Sequence, residues 1–384
     1  MKKNKKILIL VNYLSFFISH RLPVAEALLA KGFDVFIGYG EPRGANPKLL
    51  EKKGFKVNLI PMQLGSFNLL KDLKTAYYIW VFFKRVKPDI VHLITIKPYL
   101  YGGIISRLCG VRCLISAVPG LGTLFINNNL KCKLIRLLLY PIYKMTFNHL
   151  NQKIILQNKD DLKVLVNWGV LNPSKVKLLK GSGVNLGNFR NFDEPSGAPI
   201  VCFAARLLRD KGVYEYVSAA RLLKKRGIKA QFLLAGDLDL NNPTGLNLND
   251  LKKLKDEGFV KIVGYQKNIS TLYANSHIIC LPSYREGLPK SLIEAAAASR
   301  VVVTTDVPGC RDAIIPNKTG LLVPVKNYKK LADALQWLIE NPKKRIVMGR
   351  NGRKFAEKEF PIEKIVLNHL NIYKDLLSNS SKSI

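Results

Sequence analysis

GSGVNLGNFRNFDEPSGAP, residues 181–199, interrupts an otherwise regular chain. It is rich in Gly, Asn and Pro and carries little apolar periodicity, so it reads as a linker. Upstream, strand-like runs fall near 6–11, 33–38, 55–60, 89–94, 112–116, 153–156 and 175–179. Helical patterns near 20–31, 68–86, 98–109, 130–148 and 158–168 separate most of them. Downstream the alternation restarts, with strands near 200–204, 230–235, 259–263, 277–281, 301–304 and 320–323. Helices are expected near 211–226, 246–256, 268–274, 289–298 and 327–339, and helices 342–357 and 361–377 finish the chain. Runs such as ILILV and DIVHLI are nearly all apolar, as strands are when both faces of a parallel sheet are covered. Such alternation implies right-handed βαβ units. The expectation is α/β: two Rossmann-like domains facing across a cleft, because ligands of open α/β sheets bind at strand carboxyl ends.

With 384 residues, 48% of them apolar, the chain has material for two cores. Disorder is expected only in the tail after Leu377. The six cysteines (109, 113, 132, 202, 280 and 310) are scattered without a zinc spacing and read as free thiols in a reducing compartment. The start, MKKNKKILILVNYLSFFIS, imitates a signal peptide, but Asn12 breaks the apolar run and no small-x-small site follows. It reads instead as the first strand of a domain. No apolar run reaches the roughly 20 residues of a membrane span. The net charge is +34, with +21 in residues 1–185 and +13 in the rest. Such a field attracts phosphorylated substrates and anionic lipid. Without an RNA-binding signature, zinc finger or basic-aromatic ladder, nucleic acid is not an expected partner.

Chemistry concentrates in the second half. AARLLRDKGV (204–213) puts Arg206 directly after a strand and Lys211 at the start of the next helix, an anion site beside a helix N-terminus. QFLLAGD (231–237) ends a strand in Gly236-Asp237. CLPSYREGLPKSLIEAAAA (280–298) reads as strand, turn and helix. There Glu286 lies in the turn, Gly287 admits close backbone approach, and Leu288, Pro289 and Lys290 open the helix. Glu294 lies a turn inside, where a carboxylate can accept two hydrogen bonds from a ribose diol.

These segments resemble the retaining glycosyltransferases of family 4, which have the GT-B fold, and the resemblance covers nearly the whole chain. It implies that Arg206 and Lys211 hold the diphosphate of a nucleotide-sugar donor, a UDP-sugar above others. It implies that Glu294 binds the ribose and that Glu286 contacts hydroxyls of the transferred sugar, with the amides of Gly287 and Leu288 nearby. Arg206, Lys211 and Glu286 are the catalytic candidates. No metal or other cofactor is implied. The implied domains are 1–185 for the acceptor, a linker at 186–199, 200–360 for the donor, and 361–384 as a helix crossing back to the first domain, with a tail.

The first half departs from the family's common pattern. The loop NYLSFFISHRLP lacks the usual Gly-Gly pair but places His20 and Arg21 at a helix start. SAVPGLGTLF (116–125) lacks the usual histidine, leaving Gly120 and Gly122 to bring backbone near a substrate or simply to make the turn. His92, inside an apolar strand, reads as a core residue. SHRLP, VHLITIKP and GLGTLF resemble a bacterial subgroup that builds surface polysaccharides. That implies transfer of a hexose or N-acetylhexosamine to an undecaprenyl-diphosphate-linked saccharide, at the inner face of the cytoplasmic membrane. Segments 68–87 and 130–148 mix Lys and Arg with Leu, Tyr, Trp and Phe, which suits an anionic membrane surface. Two alternatives stay open at this point: a GT-B UDP-sugar 2-epimerase and a non-catalytic peripheral membrane protein.

Overall fold

The computed structural model describes residues 4–62, 68–125, 129–190 and 192–381. The chain forms two compact units, Met1–Ser182 with Glu363–Ile384, and Gly183–Ile362. It therefore passes between them twice, at 182/183 and at 362/363.

The first unit contains β1 (Lys6–Tyr13), α1 (Leu14–His20), α2 (Leu22–Ala30), β2 (Asp34–Glu41), α3 (Pro47–Glu51), β3 (Lys56–Leu59), α4 (Leu69–Val86), β4 (Ile90–Ile94), α5 (Ile96–Leu108), β5 (Cys113–Val118), α6 (Leu130–Thr146), β6 (Gln152–Leu156), α7 (Lys159–Asn167) and β7 (Val176–Leu178). Its strands pair in parallel in the order β3-β2-β1-β4-β5-β6-β7. The pleat divides each strand between two cores. Ile7, Ile9 and Val11 of β1 pack with α1 and α2, whereas Leu8 and Leu10 pack with Ile79, Phe82 and Phe83 of α4. Each such side chain, fully buried, contributes about 1.5–3 kcal/mol.

The second unit runs β8 (Ile200–Ala204), α8 (Val213–Lys225), β9 (Gln231–Ala235), α9 (Leu248–Glu257), β10 (Lys261–Gly264), α10 (Ile269–Ala274), β11 (Ile278–Leu281), α11 (Lys290–Ala297), β12 (Val301–Thr305), β13 (Gly320–Val323), α12 (Tyr328–Glu340) and α13 (Pro342–Glu359). Its parallel order is β10-β9-β8-β11-β12-β13. The last helix, α14 (Ile362–Ser381), packs Ile372, Tyr373 and Leu376 into the first unit's core, so the chain does return there. Two Rossmann-like units, with the final helix on the first, match the architecture expected from the sequence.

Asparagine starts many of these helices. Asn68, Asn129, Asn158, Asn247, Asn268 and Asn327 each accept a backbone N–H of the first turn, which satisfies a donor the helix cannot.

Several local expectations change. The helix expected over 20–31 is α2, and an unexpected helix, α1, precedes it, with Arg21 between the two at φ −133°, ψ −12°. Pro23 stands in the first turn of α2, where its missing N–H costs nothing, but it cannot continue a helix arriving from Leu14. Helix α3 was not legible, being only five residues long. The final helix continues past Leu377 to Ser381, and 382–384 lie outside the described residues.

Residues 192–195, inside the segment read as a linker, are fastened to the second unit. The buried Arg345 guanidinium donates to Glu194 at 2.8 and 2.9 Å. Arg300 donates to the carbonyls of Phe192 at 3.2 Å and Asp193 at 2.8 Å. Beside the crossing points, the Val184 N–H donates to Phe360 O and the Ile362 N–H to Val184 O, at 2.8 and 3.1 Å.

Candidate active site

In the second unit, strand order reverses between β8 and β11, so a crevice opens at their carboxyl ends. After β8 the chain makes a 3-10 turn, Arg209–Lys211, and then Gly212 at φ +79°. A Cβ on Gly212 would stand 2.2 Å from the Pro282 carbonyl oxygen, so glycine is required where this turn meets the end of β11. The turn and the next loop are tied together. Ser283 Oγ and the Tyr284 N–H both donate to Asp210 O, at 3.0 and 2.8 Å. This brings the Lys211 ammonium into an ion pair with the Glu286 carboxylate, which also accepts from Ser283 Oγ at 2.7 Å. Two residues 75 positions apart thus meet at the switch point.

The Glu286 loop is held from a third side. Its N–H donates to Pro308 O at 3.1 Å, and Gly309, at φ +78°, lies where a Cβ would be 2.5 Å from the carbonyl oxygens of both Glu286 and Gly287. Gly309→Ala is therefore expected to cost about 1–3 kcal/mol of stability and to push Glu286 away from Lys211. Thermal melts and turnover of the variant check this, and unchanged values in both would refute the clamp.

Arg206 follows β8 by two residues, and its Nη1 donates to Asp239 Oδ2 at 2.7 Å. The guanidinium is half-exposed and the carboxylate enclosed. Asp239, after β9, is a site-forming residue that the sequence reading missed. Its signal was an acid just beyond AGD, but nothing local tied it to Arg206. Gly236 has its own structural reason. At φ +149°, a Cβ there would stand 1.8 Å from Ala205 O, so the ends of β8 and β9 could not approach as they do.

Helix α11 begins after Pro289 with no side-chain cap, and its N-terminus carries the positive end of the helix dipole, which favours an anion. Lys290 sits in that first turn and reaches Glu294 at 3.3 Å. Glu294 is only 9% exposed, on a helix buried at every residue from Leu292 to Ala297. Burial pushes its carboxyl above the ordinary range, and the Lys290 ammonium partly restores the charged form. Leu288 and Pro289 are buried at the turn.

The first-unit candidates do not all gather. His20 ends α1, stacked on Phe16 with ring centroids 4.0 Å apart. Arg21 turns its guanidinium inward rather than to the surface. It is 2% exposed, Nη1 donates to His20 O at 2.9 Å, and burial lowers its pKa to about 10. The physical reason is the α1–α2 break, which turns this side chain inward. Gly120 (φ +156°) and Gly122 (φ +70°) follow β5 in backbone that side chains disfavour. The sequence reading missed Thr95, which follows β4 at φ +75°, a strained position for a β-branched residue. Beside it, Lys97 forms a buried ion pair with Asp72 at 2.6 Å. His92 is fully buried, as expected for a core residue, and its Nδ1 bonds the Tyr373 hydroxyl at 2.6 Å. Among the described residues, no three His, Cys, Asp or Glu side chains gather where a metal ion could be held. The cysteines are free.

Two Rossmann-like units, with cations and carboxylates converging at the switch point of the second, define a GT-B glycosyltransferase. Residues 187–355 match the family model for glycosyl transferases group 1, and residues 6–158 match that for glycosyl transferase 4-like domains. The chain belongs to this family 4 group and is an enzyme. It is 29% identical, over 94% of its length and 96% of the relative's, to N,N'-diacetylbacillosaminyl-diphospho-undecaprenol alpha-1,3-N-acetylgalactosaminyltransferase of Campylobacter jejuni. It is 22% identical, over 83% and 84% of the two chains, to the Escherichia coli UDP-Gal:alpha-D-GlcNAc-diphosphoundecaprenol alpha-1,3-galactosyltransferase. The solved structure of Anabaena Alr3699/HepE in complex with UDP and glucose superposes with a TM-score of 0.77 at 17% identity, covering 97% of this chain and 100% of that one. The last likeness speaks for the fold alone.

Proposed function

We propose that this enzyme moves a hexose or N-acetylhexosamine from a UDP-sugar to an undecaprenyl-diphosphate-linked saccharide, with retention, in surface-glycan synthesis. The carrying observation is the convergence of Lys211 and Glu286 at the β8/β11 switch point, beside the N-terminus of α11. The two relatives support the acceptor, since both are named for diphospho-undecaprenol substrates, and the second supports the donor. Both names specify alpha linkages, and an alpha-linked donor that gives an alpha product retains configuration.

In this reading the donor's diphosphate takes Lys211 and Arg206 as partners. Each now has a carboxylate, Glu286 or Asp239, and a dianionic diphosphate is the stronger competitor. Release from Lys211 lets Glu286 accept hydrogen bonds from hydroxyls of the transferred sugar. As the glycosidic C–O bond breaks, charge grows on the departing β-phosphate. The two cations and the N–H groups of α11 stabilise it, so catalysis is electrostatic. Glu294 accepts from the ribose diol. The acceptor occupies the first unit near Gly120 and Gly122, with His20 at the margin. The enzyme works without a metal, peripherally on the cytoplasmic face of the membrane, with anionic lipid as a partner. A donor panel assayed by nucleotide release, with and without the lipid-linked acceptor, tests the reading. Release from no UDP-sugar under either condition would overturn it.

Glu294→Ala is expected to weaken UDP-sugar binding by roughly 1–3 kcal/mol, the worth of a hydrogen bond to a charged group. Acid should do the same to the wild type. The ionised form binds the diol, and burial raises the pKa, so affinity falls with decreasing pH sooner than for an ordinary carboxylate. Calorimetry of both proteins across the acid range checks this. Equal affinity in variant and wild type removes the ribose assignment.

A further inference from the structure

Helices α4, α5 and α6 cover one face of the first sheet, and their inner sides share one core. The outer sides of α4 and α6 are unusual. Leu69, Leu70, Leu73 and Tyr77 on α4 are exposed, the first two at 77% and 79%. Leu130, Leu134, Leu137 and Leu138 on α6 are exposed too, Leu130 at 83%. At these spacings they form one apolar stripe per helix. Scattered exposed leucines need no explanation, but two such stripes on helices packed into one layer do.

Charge and direction identify the occupant. Lys71, Lys74 and Lys84 on α4, and Lys133 and Lys144 on α6, are exposed. Neither helix exposes an acid. Asp72, the one carboxylate in the two, is buried against Lys97. A protein partner would have to match leucines with an unbroken cationic rim, whereas an anionic bilayer offers both phases at once. In parallel βαβ units the helices run opposite to the strands, so α4 and α6 begin at the sheet's carboxyl edge. Within the two helices the most exposed leucines, Leu69, Leu70 and Leu130, are at those beginnings, on the edge where β4 and β5 end in Thr95, Gly120 and Gly122.

We infer that the amino-terminal halves of α4 and α6 insert their leucines into an anionic leaflet, bringing the acceptor crevice to the headgroup layer. This rests on the reading that the acceptor is lipid-linked, and names the surface that presents the enzyme to it. Binding then has two separable parts. The lysine part is screened as the Debye length falls from about 10 Å at 0.1 M salt to about 3 Å at 1 M. The leucine part is not.

The full-length protein is sedimented with phosphatidylglycerol or phosphatidylcholine vesicles at both salt concentrations. Wild type should bind phosphatidylglycerol at low salt and keep a residual fraction at high salt. Lys71→Glu with Lys74→Glu and Lys133→Glu should lower low-salt binding by at least about fivefold per charge. Leu70→Ser with Leu134→Ser and Leu138→Ser should lower it at both salts, by roughly tenfold or more in all. These side chains are exposed, so the fold survives, and transfer to a short-chain soluble acceptor should persist. Vesicle binding is read without turnover, so an inactive protein that still binds counts only against the transfer reading. No binding of wild type to phosphatidylglycerol at low salt would overturn the inference. So would leucine variants that bind normally, or a wild-type dimer by light scattering that these variants split while vesicle binding is absent.

Discussion

Lys211→Ala should retain the fold and lose about 10²–10³-fold in kcat, the usual effect of removing one donor aimed at charge that develops in a transition state. The ammonium meets the departing phosphate most strongly when the sugar–phosphate bond breaks, so kcat should fall more than donor KM rises. Glu286 survives the change without becoming an orphan, because Ser283 Oγ still donates to it at 2.7 Å. Arg206→Ala is expected to be as damaging but harder to read. It takes a guanidinium from Asp239, which is 3% exposed, and breaking such a pair weakens the fold along with the chemistry. Pairing it with Asp239→Asn removes both charges and restores stability without restoring turnover. Nucleotide release and thermal melts on the three variants separate these effects. Near wild-type kcat in Lys211→Ala and in the double variant would place the anion site elsewhere.

The sequence carried the fold because its strands advertise themselves. IVHLI in β4 is buried at every residue and reads as a central strand without help. The donor candidates were legible because strand–turn–helix punctuation around Glu286 and Glu294 is local. What sequence could not supply was partnership across distance. Asp239 joins Arg206 from 33 residues away, and Glu194 joins Arg345 from 151. No window spans either pair, so 192–195 looked like part of a loose linker although buried arginines fix it. Arg21 misled for the opposite reason. A cation beside His20 at a helix start suggests a surface ligand, and hydropathy gives no warning that Pro23 breaks the helix and turns the guanidinium inward. The stripes on α4 and α6 were half visible. Their amphipathic composition was plain, but only the packed layer shows which leucines remain outside.

The first unit should lose stability as pH falls from about 6.5, and the reason is a polar cluster inside its core. His92 of β4 and His369 of α14 are fully buried, with ring centroids 6.1 Å apart. His92 Nδ1 meets the Tyr373 hydroxyl, and His369 Nδ1 donates to Ile365 O at 2.8 Å. The groups facing the rings are Arg21, from the α1–α2 junction, and Tyr373 of α14. Burial, first, and then the neighbouring His369 and Arg21 hold His92 well below its ordinary pKa. Burial and then the Arg21 charge bring His369 to about 3. Both are therefore neutral in the folded protein and ordinary in the unfolded chain. Above pH about 6.5 neither state takes a proton and the cluster adds no pH dependence. Below it the unfolded chain is protonated first. Stability then falls by up to about 1.4 kcal/mol per pH unit for each histidine, until the folded value is reached. For His369 the loss continues between its ordinary value and about 3. Because His369 and Tyr373 both lie on α14, the C-terminal helix is anchored through groups that acid turns against it. Urea titrations of wild type and of His92→Gln with His369→Gln, at neutral pH and near pH 4–5, read the difference in slope. The variant should start less stable and lose less on acidification. Parallel pH dependence in the two proteins would show that the histidines are not held neutral and that acid acts elsewhere.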